Sequence, residues 1–276
     1  MMETIHAEIS HFVQENWENR FPNSNEPYFD DALIGFAAAG DPIFREYKQI
    51  IGNFHQLPDE ILNGAATVIC WVLPVSRATR VSNRHQERWP SLEWSLTRNN
   101  GENFNAALRR HMVEWLEVRG HRAVAPQLAP GWRQLDDSSA GIASSWSERH
   151  AAYAAGLGTF SLNDGLITAR GIAHRLGSVV TDLALPPTSR NAGGYRSNCL
   201  YHRDGSCGIC ISRCPVGAIS RQGHDKETCR GYVYGAVPEA VGELYGVAQT
   251  GCGLCQTRVP CEERIPGGKN GDGNTP

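Results

Sequence analysis

Eight of the nine cysteines in this 276-residue chain lie between positions 199 and 261, and Cys70 is the one outside that stretch. Thiols at that density ask for a shared metal, a redox centre or disulfides. The first ten residues, MMETIHAEIS, carry acidic side chains and no apolar run of the kind that directs export. The expected compartment is therefore the reducing cytoplasm, where structural disulfides are rare. The longest apolar run, residues 65–75, is about half of a membrane span and holds a proline, so no membrane-spanning helix is expected.

The spacing narrows the choice. Cys207, Cys210 and Cys214 stand as Cys-x2-Cys-x3-Cys-Pro, the last three positions of the bacterial ferredoxin run. A two-residue gap wraps the backbone around one cubane, and the longer gap sends the next thiolate toward a second cluster. Pro215 then turns the chain. The first cysteine of the usual run would fall at Asp204; Cys199 is taken in its place, returned by a longer loop. A second group follows, Cys229 and then Cys252-x2-Cys255-x5-Cys261. Two-cluster ferredoxin folds exchange the distal ligand between their motifs. The expected metal ligands are thus Cys199, Cys207, Cys210 and Cys261 for one [4Fe–4S] cluster, and Cys214, Cys229, Cys252 and Cys255 for the other. A four-cysteine zinc site, built from the two Cys-x2-Cys pairs, is the rival reading. It leaves four of the eight thiols idle and does not account for Cys214-Pro215.

The rest of the chain reads as mixed α and β. Ile5, Ile9, Phe12, Val13 and Trp17 recur at helical spacing over residues 3–19. Residues 21–28 read as a loop. Asp41-Pro42 starts a helix through IFREYKQII. The β-rich run at 66–73 is a buried strand, with Cys70 a small hydrophobe inside it. Phe104, Leu108, Met112, Trp115 and Leu116 mark a helix over 102–119, ended by Gly120. Residues 147–155 form a short helix, capped by Ser145 or Ser147 and closed by Gly156. Residues 175–185 are a strand candidate. The loop opened by Pro186-Pro187 marks a domain boundary, and a tail at 266–276 has nothing to pack and is expected to be disordered. Seven Trp are expected mostly to fill the core.

In the order of its eight cysteines, ending in Gly251-Cys252 to Cys255-Gln256, the chain resembles epoxyqueuosine reductase and, more distantly, the reductive dehalogenases. SERHAAYAAGLGTF at 147–160 looks like that family's "ER…A..AGLG" stretch, and LGSVVTDLAL at 176–185 looks like its strand ending in Thr-Asp-Leu. The resemblance implies an α+β chain: a nitroreductase-like α/β domain carrying cobalamin over residues 1–185, then a ferredoxin-like domain with two [4Fe–4S] clusters over 186–265. Electrons from a low-potential donor, a ferredoxin or a flavodoxin, would pass through the clusters to the cofactor, which reduces a small molecule or a modified nucleoside. It also implies that Gly156, Leu157, Gly158, Thr159 and Gly165 lie against the corrin; as residues alone they read as a helix cap and tight turns. The family's proposed proton donor, an Asp six residues before the Glu of the "ER" pair, falls on Ile142, with Asp136 and Asp137 out of register. No catalytic residue is assigned. The net charge of −3 and a chain that ends soon after the cysteines speak against tRNA as the substrate.

Four further features remain at this level. His150 and Tyr153 read as ordinary helix-surface residues, though near the glycine-rich stretch. His202 would replace a thiolate only if Cys199 were not a ligand. Arg77, Arg80, Arg84, Arg88 and Arg98 read as a solvated basic face, with an anionic ligand or nucleotide phosphates as the alternative. The leading functional expectation is an iron–sulfur oxidoreductase. Its rivals are an electron carrier that docks a partner enzyme, a flavin-dependent reductase and a zinc-binding module.

Overall fold

The structure, a computed structural model, describes residues 1–138 and 141–267, so most of the predicted disordered tail lies outside the described residues. It is a mixed helix and sheet fold. Helix α1 (Met2–Glu15) buries Ile5, Ile9 and Val13, as their spacing requires. The helix stops short of the expected end, because Asn16 is extended and its side chain caps a separate turn at Trp17–Asn19. That break turns Trp17 outward to 79% exposure, where the periodicity had placed it on the buried face.

Strand β1 (Leu33–Ala38) leads to α2 (Ile43–Ile50), where the Asp41 carboxylate accepts from the Ile43 amide. A single turn, α3 (Pro58–Ile61), precedes β2 (Thr67–Pro74), which is buried along its whole length and includes Cys70. Helices α4 (Arg77–Arg84) and α5 (Leu92–Glu117) follow. α5 starts ten residues before its apolar period does. Ser91 caps it by accepting from the Trp94 amide, and its first turns bury Ser95, Thr97 and Gly101, which carry no hydrophobic signal. Next come β3 (Ala123–Val124), the hairpin of β4 (Gln134–Ser138) and β5 (Gly141–Ser144), α6 (Glu148–Ala154), the hairpin of β6 (Gly158–Phe160) and β7 (Leu166–Thr168), and β8 (His174–Thr181).

The main sheet has the order β1-β2-β8-β3, antiparallel throughout, with Val68 opposite Val180 and Cys70 opposite Ser178. Its faces alternate as the pleat demands. Phe36, Ile69, Trp71, Leu73 and Val179 pack with α1 and α5, while Ala37, Val68, Cys70 and Val180 pack with α2 and α6. On the first face the Trp71 indole N–H donates to Asn105 Oδ1, and Asn105 Nδ2 donates to the Leu176 carbonyl, both at 2.9 Å. A Cβ on Gly177 would lie 2.5 Å from that indole. Gly177→Ala is therefore expected to destabilise the fold by about 1–3 kcal/mol, as overpacking does, read from the denaturant midpoint.

After β8 the chain is irregular to residue 199, yet Thr188 exchanges hydrogen bonds with Phe36 and covers the edge of β1. The cysteine-bearing segment is built from short pieces: α7 (Leu200–Asp204), α8 (Ile209–Arg213), β9 (Ile219–Ser220), β10 (Gly223–His224), α9 (Lys226–Gly231), wide helical turns through residue 242, and α10 (Glu243–Tyr245). Its cores are small and include the thiols. Leu162, Ile167, Ile172, Cys199, Ile219 and Val259 form one, and Tyr232, Val237 and Val241 with Cys252 form another.

Among the described residues no helix is long and apolar enough to cross a membrane.

Candidate functional site

The eight clustered cysteines divide four and four between two cavities. Cys214, Cys229, Cys252 and Cys255 line a large cavity of about 530 Å³. Cys199, Cys207, Cys210 and Cys261 line a small one, closed by Leu162, Ile167, Ile172 and Val259. Burial, then the charge of neighbouring thiols, pushes Cys261 and Cys252 up to about 12 and Cys210 up to about 11. For Cys261 those neighbours are Cys210, Cys199 and Cys207; for Cys252 they are Cys229 and Cys214. Burial raises Cys255 too, and it also feels Cys210, so the two quartets adjoin. Buried thiols that oppose one another's ionisation are a donor set that a soft metal centre would stabilise as thiolates. Among the described residues no three Cys, His, Asp or Glu side chains converge as the ligands of one ion do.

The loops that carry these thiols are pinned from outside. Arg213 Nε donates to the Leu254 and Thr257 carbonyls, and its Nη1 to Gln86, tying α8 to the Cys252–Cys255 loop. Gly253 takes φ +66°, and a Cβ there would meet the Trp94 indole at 2.0 Å, so only glycine fits between those cysteines. Just beyond Cys261, the buried Glu262 carboxylate accepts from Arg84 Nε at 2.8 Å, and Arg80 Nη1 donates to Glu263 at 2.9 Å. The basic run at 77–98 is thus only in part a solvated face: Arg77 and Arg88 are exposed, Arg88 over the Trp89 ring, whereas Arg80 and Arg84 clamp the end of the cysteine segment and Arg98 reaches the large cavity.

The rest of the large cavity's wall comes from α5, the β4–β5 hairpin, the start of α6, β7 and β8. Its size falls in the range of roughly 300–1,000 Å³ usual for small-molecule and cofactor sites. Of the five residues expected to hold a cofactor, Gly165 lines it. Gly156, Leu157, Gly158 and Thr159 are absent from its wall: a Cβ on Gly156 would meet the Ser189 carbonyl and one on Gly158 the Ile167 carbonyl, both at 2.5 Å, Leu157 packs below the sheet, and the buried Thr159 hydroxyl accepts from the Asn198 amide. Those four serve chain packing.

The wall carries a charge network that no local pattern announced. Glu102 bonds Arg109 Nη1 at 2.9 Å and also Arg175, and these cations hold its carboxyl at about 2 against its burial. Arg109 Nη2 donates to the Leu176 carbonyl at 2.9 Å and lies 3.4 Å from Glu148. Burial raises Glu148 above the ordinary carboxylate range. His174 is pushed down to about 4 by burial, with Nε2 on the Leu166 carbonyl. His224 is raised to about 9 by Asp164 and Cys229. Sequence reasoning missed this set because its members come from α5, α6 and β8; the one available signal was the Glu148-Arg149 pair.

Other expectations are corrected. Ser147 heads α6, but its hydroxyl pairs with His150 Nδ1 at 2.8 Å, and Ser145 accepts from Arg133 instead of capping. His150 is no surface residue. It packs against Tyr47 and Phe160, and burial pushes it down to about 3. Tyr153 packs on Phe160 beside it. Ile142 does line the cavity, and Asp136 instead pairs with Arg230 at 3.0 Å; the side chain of Asp137 lies outside the described residues. His202 remains beside the small cavity's cysteines in sequence but not in its wall.

No protein-family model matches the chain. It is 31% identical over 119 residues to an epoxyqueuosine reductase of Bacillus anthracis, an alignment covering 41% of this chain and 29% of that protein. An epoxyqueuosine reductase solved with an epoxyqueuosine-modified tRNA-Tyr stem loop matches 95% of this chain and 66% of its own, with a TM-score of 0.53 at 16% identity. The chain is thus similar to epoxyqueuosine reductases in fold, and in sequence over part of its length. A reductive dehalogenase described in terms of B12-dependent dehalogenation shares the fold too, with a TM-score of 0.54 at 15% identity over 96% of this chain and 37% of that one. The curated relative is matched over less than a third of its own length. The expectation against tRNA finds no support in these likenesses. It rested on the chain's end soon after the cysteines and on the charge of the whole chain, whereas Arg98, Arg149, Arg175, Lys226 and Arg230 all line the large cavity.

Proposed function

We propose that this chain is an iron–sulfur oxidoreductase that passes electrons through two [4Fe–4S] clusters to a cofactor of the cobalamin type in the large cavity. The observation that carries the reading is the four-and-four division of eight thiols over two adjoining cavities, one of which opens onto the sheet. On this reading residues 1–185 form a nitroreductase-like cofactor domain and residues 186–265 a two-cluster ferredoxin-like domain. Cys199, Cys207, Cys210 and Cys261 hold the cluster that meets the donor, a ferredoxin or flavodoxin. Cys214, Cys229, Cys252 and Cys255 hold the one at the cavity, with Cys210 near enough to Cys255 to act on its charge. Asn163, Gly165 and Leu166 line the cofactor's site. When bound, the corrin supplies two-electron reducing power that the protein itself lacks. The chain's residues position the ligand and exclude water. Clusters of this kind suit a reducing, cytoplasmic compartment.

The first substrate to test is epoxyqueuosine in a tRNA stem loop, because a relative of the same fold is solved with one. Protein purified without air from cobalamin-fed cells is expected to be brown, with about eight irons and eight sulfides per chain, and to retain the corrin through gel filtration. A colourless, zinc-loaded protein would end this reading. Clusters present but neither corrin nor flavin retained would leave an electron carrier.

A further inference from the structure

The large cavity contains a proton-holding group that the reductase reading does not assign. Reduction of an epoxide to an alkene takes two electrons and two protons: both carbon–oxygen bonds break, the oxygen takes the bonding pairs and leaves as water, and its first proton is needed as the ring opens. The electrons arrive singly from a ferredoxin- or flavodoxin-type carrier. That first proton must come from a group at the wall that carries one at neutral pH and is free to release it.

Most of the wall's titratable groups fail one of these conditions. Glu102 is held ionised between Arg109 and Arg175. Asp164 is held ionised by His224 and Arg149. His174 is neutral at neutral pH, and its Nε2 is spent on the Leu166 carbonyl. His224 is bound to Asp164 and touches Cys229, which ties it to the cysteine quartet. Glu148 differs from all of these. Both its carboxyl oxygens are buried, and neither has a hydrogen-bond partner of good geometry. Its neighbours are accounted for from each packed element. On α5, Arg109 stands 3.4 Å away but is already shared with Glu102 and the Leu176 carbonyl. On β8, the Ser178 hydroxyl accepts from the Trp146 indole, and its own proton faces the Glu148 carboxyl, where, with Arg109, it opposes burial without outweighing it. On β2, Cys70 is a buried neutral thiol.

We infer that Glu148 holds the proton for reductions in the large cavity, gives it to the atom that receives the electron pair, and regains one from water. The inference deepens the reductase reading and rests on it. Burial acts in the same direction, keeping the carboxyl protonated to higher pH than an exposed glutamate.

The test uses the iron-loaded full chain. In the infrared spectrum at pH 7, wild type is expected to show the carbonyl band of a buried protonated carboxyl, lost in Glu148→Gln. With corrin loaded and the epoxyqueuosine-modified stem loop as probe, E148Q is expected to lower the rate roughly 100-fold or more with KM little changed. The wild-type rate falls as pH rises through the carboxyl's titration, and that fall vanishes in the variant. Absence of the band, or a variant as fast as wild type, overturns the inference. A wild type that shows the band but reduces no probe sinks the substrate reading, and deuterium uptake by the band on reduction with dithionite then decides this one: a band unchanged by reduction overturns it.

Discussion

Cys214→Ser and Cys261→Ser are expected to empty different clusters, although each cysteine stands in sequence with the other's set. A serine alkoxide is a poor substitute for a thiolate on iron, and a cubane held by three ligands at a solvent-accessible edge is labile. Each single variant should therefore retain about four of eight irons per chain. The informative measurement is the double variant. Cys214→Ser with Cys252→Ser touches one cavity and should lose no more iron than either alone, whereas Cys214→Ser with Cys207→Ser touches both and should lose nearly all of it. This follows from the wall of the large cavity, which contains Cys214 with Cys229, Cys252 and Cys255, and from the wall of the small one, which contains Cys261 with Cys199, Cys207 and Cys210. If the clusters instead took cysteines in sequential fours, the outcomes would exchange: Cys214 and Cys207 would fall in one cluster and Cys214 and Cys252 in two. Iron analysis and EPR of the reduced variants separate the two patterns. A chain that held zinc in place of iron would show neither.

The crowding of the cysteines was legible because part of its information is local. Gaps of two residues keep Cys207 beside Cys210 and Cys252 beside Cys255, and each pair lines one cavity. The strand at Thr67–Pro74 was legible for a related reason: a run buried on both faces needs no partner to be recognised. The beginning of α5 was not, since Ser95, Thr97 and Gly101 are buried by neighbours from distant segments. Trp17 misled because periodicity cannot see the capping asparagine that ends the helix before it. The glycine-rich stretch was half-read. Gly165 reaches the cavity, while Gly156 and Gly158 are required by carbonyls that approach from residues 189 and 167. Arg80 and Arg84 in the basic run were misread for the same reason, their acidic partners lying some 180 residues away at Glu263 and Glu262. Apart from the Asn16 cap, which is local, contacts between remote segments decide these, and composition within a window carries no trace of them.

Arg109 is the residue whose loss should most damage the fold around the cavity. Its side chain is 1% exposed, and it neutralises Glu102 while standing 3.4 Å from Glu148. Arg109→Met keeps the volume of the stem but leaves a buried carboxylate short of its cation. Breaking a buried pair from one side destabilises by about 3–5 kcal/mol, and here the loss should appear as a lower denaturant midpoint with an unchanged slope. The pH dependence supplies the sign. Glu102 titrates at about 2 in the folded chain against an ordinary 4.5, so its ionised form favours folding. That contribution, about 3 kcal/mol, is fully present above the unfolded value and is lost as pH falls from roughly 4.5 toward 2. Arg175 still holds one side of Glu102 in the variant. The folded carboxyl then titrates nearer its ordinary range, and acid unfolding should begin at higher pH than in wild type. Pairing Arg109→Met with Glu102→Gln removes charge from both sides and should recover much of the loss. A double variant no more stable than the single would show that Arg109 acts through the Leu176 carbonyl and not through the carboxylates.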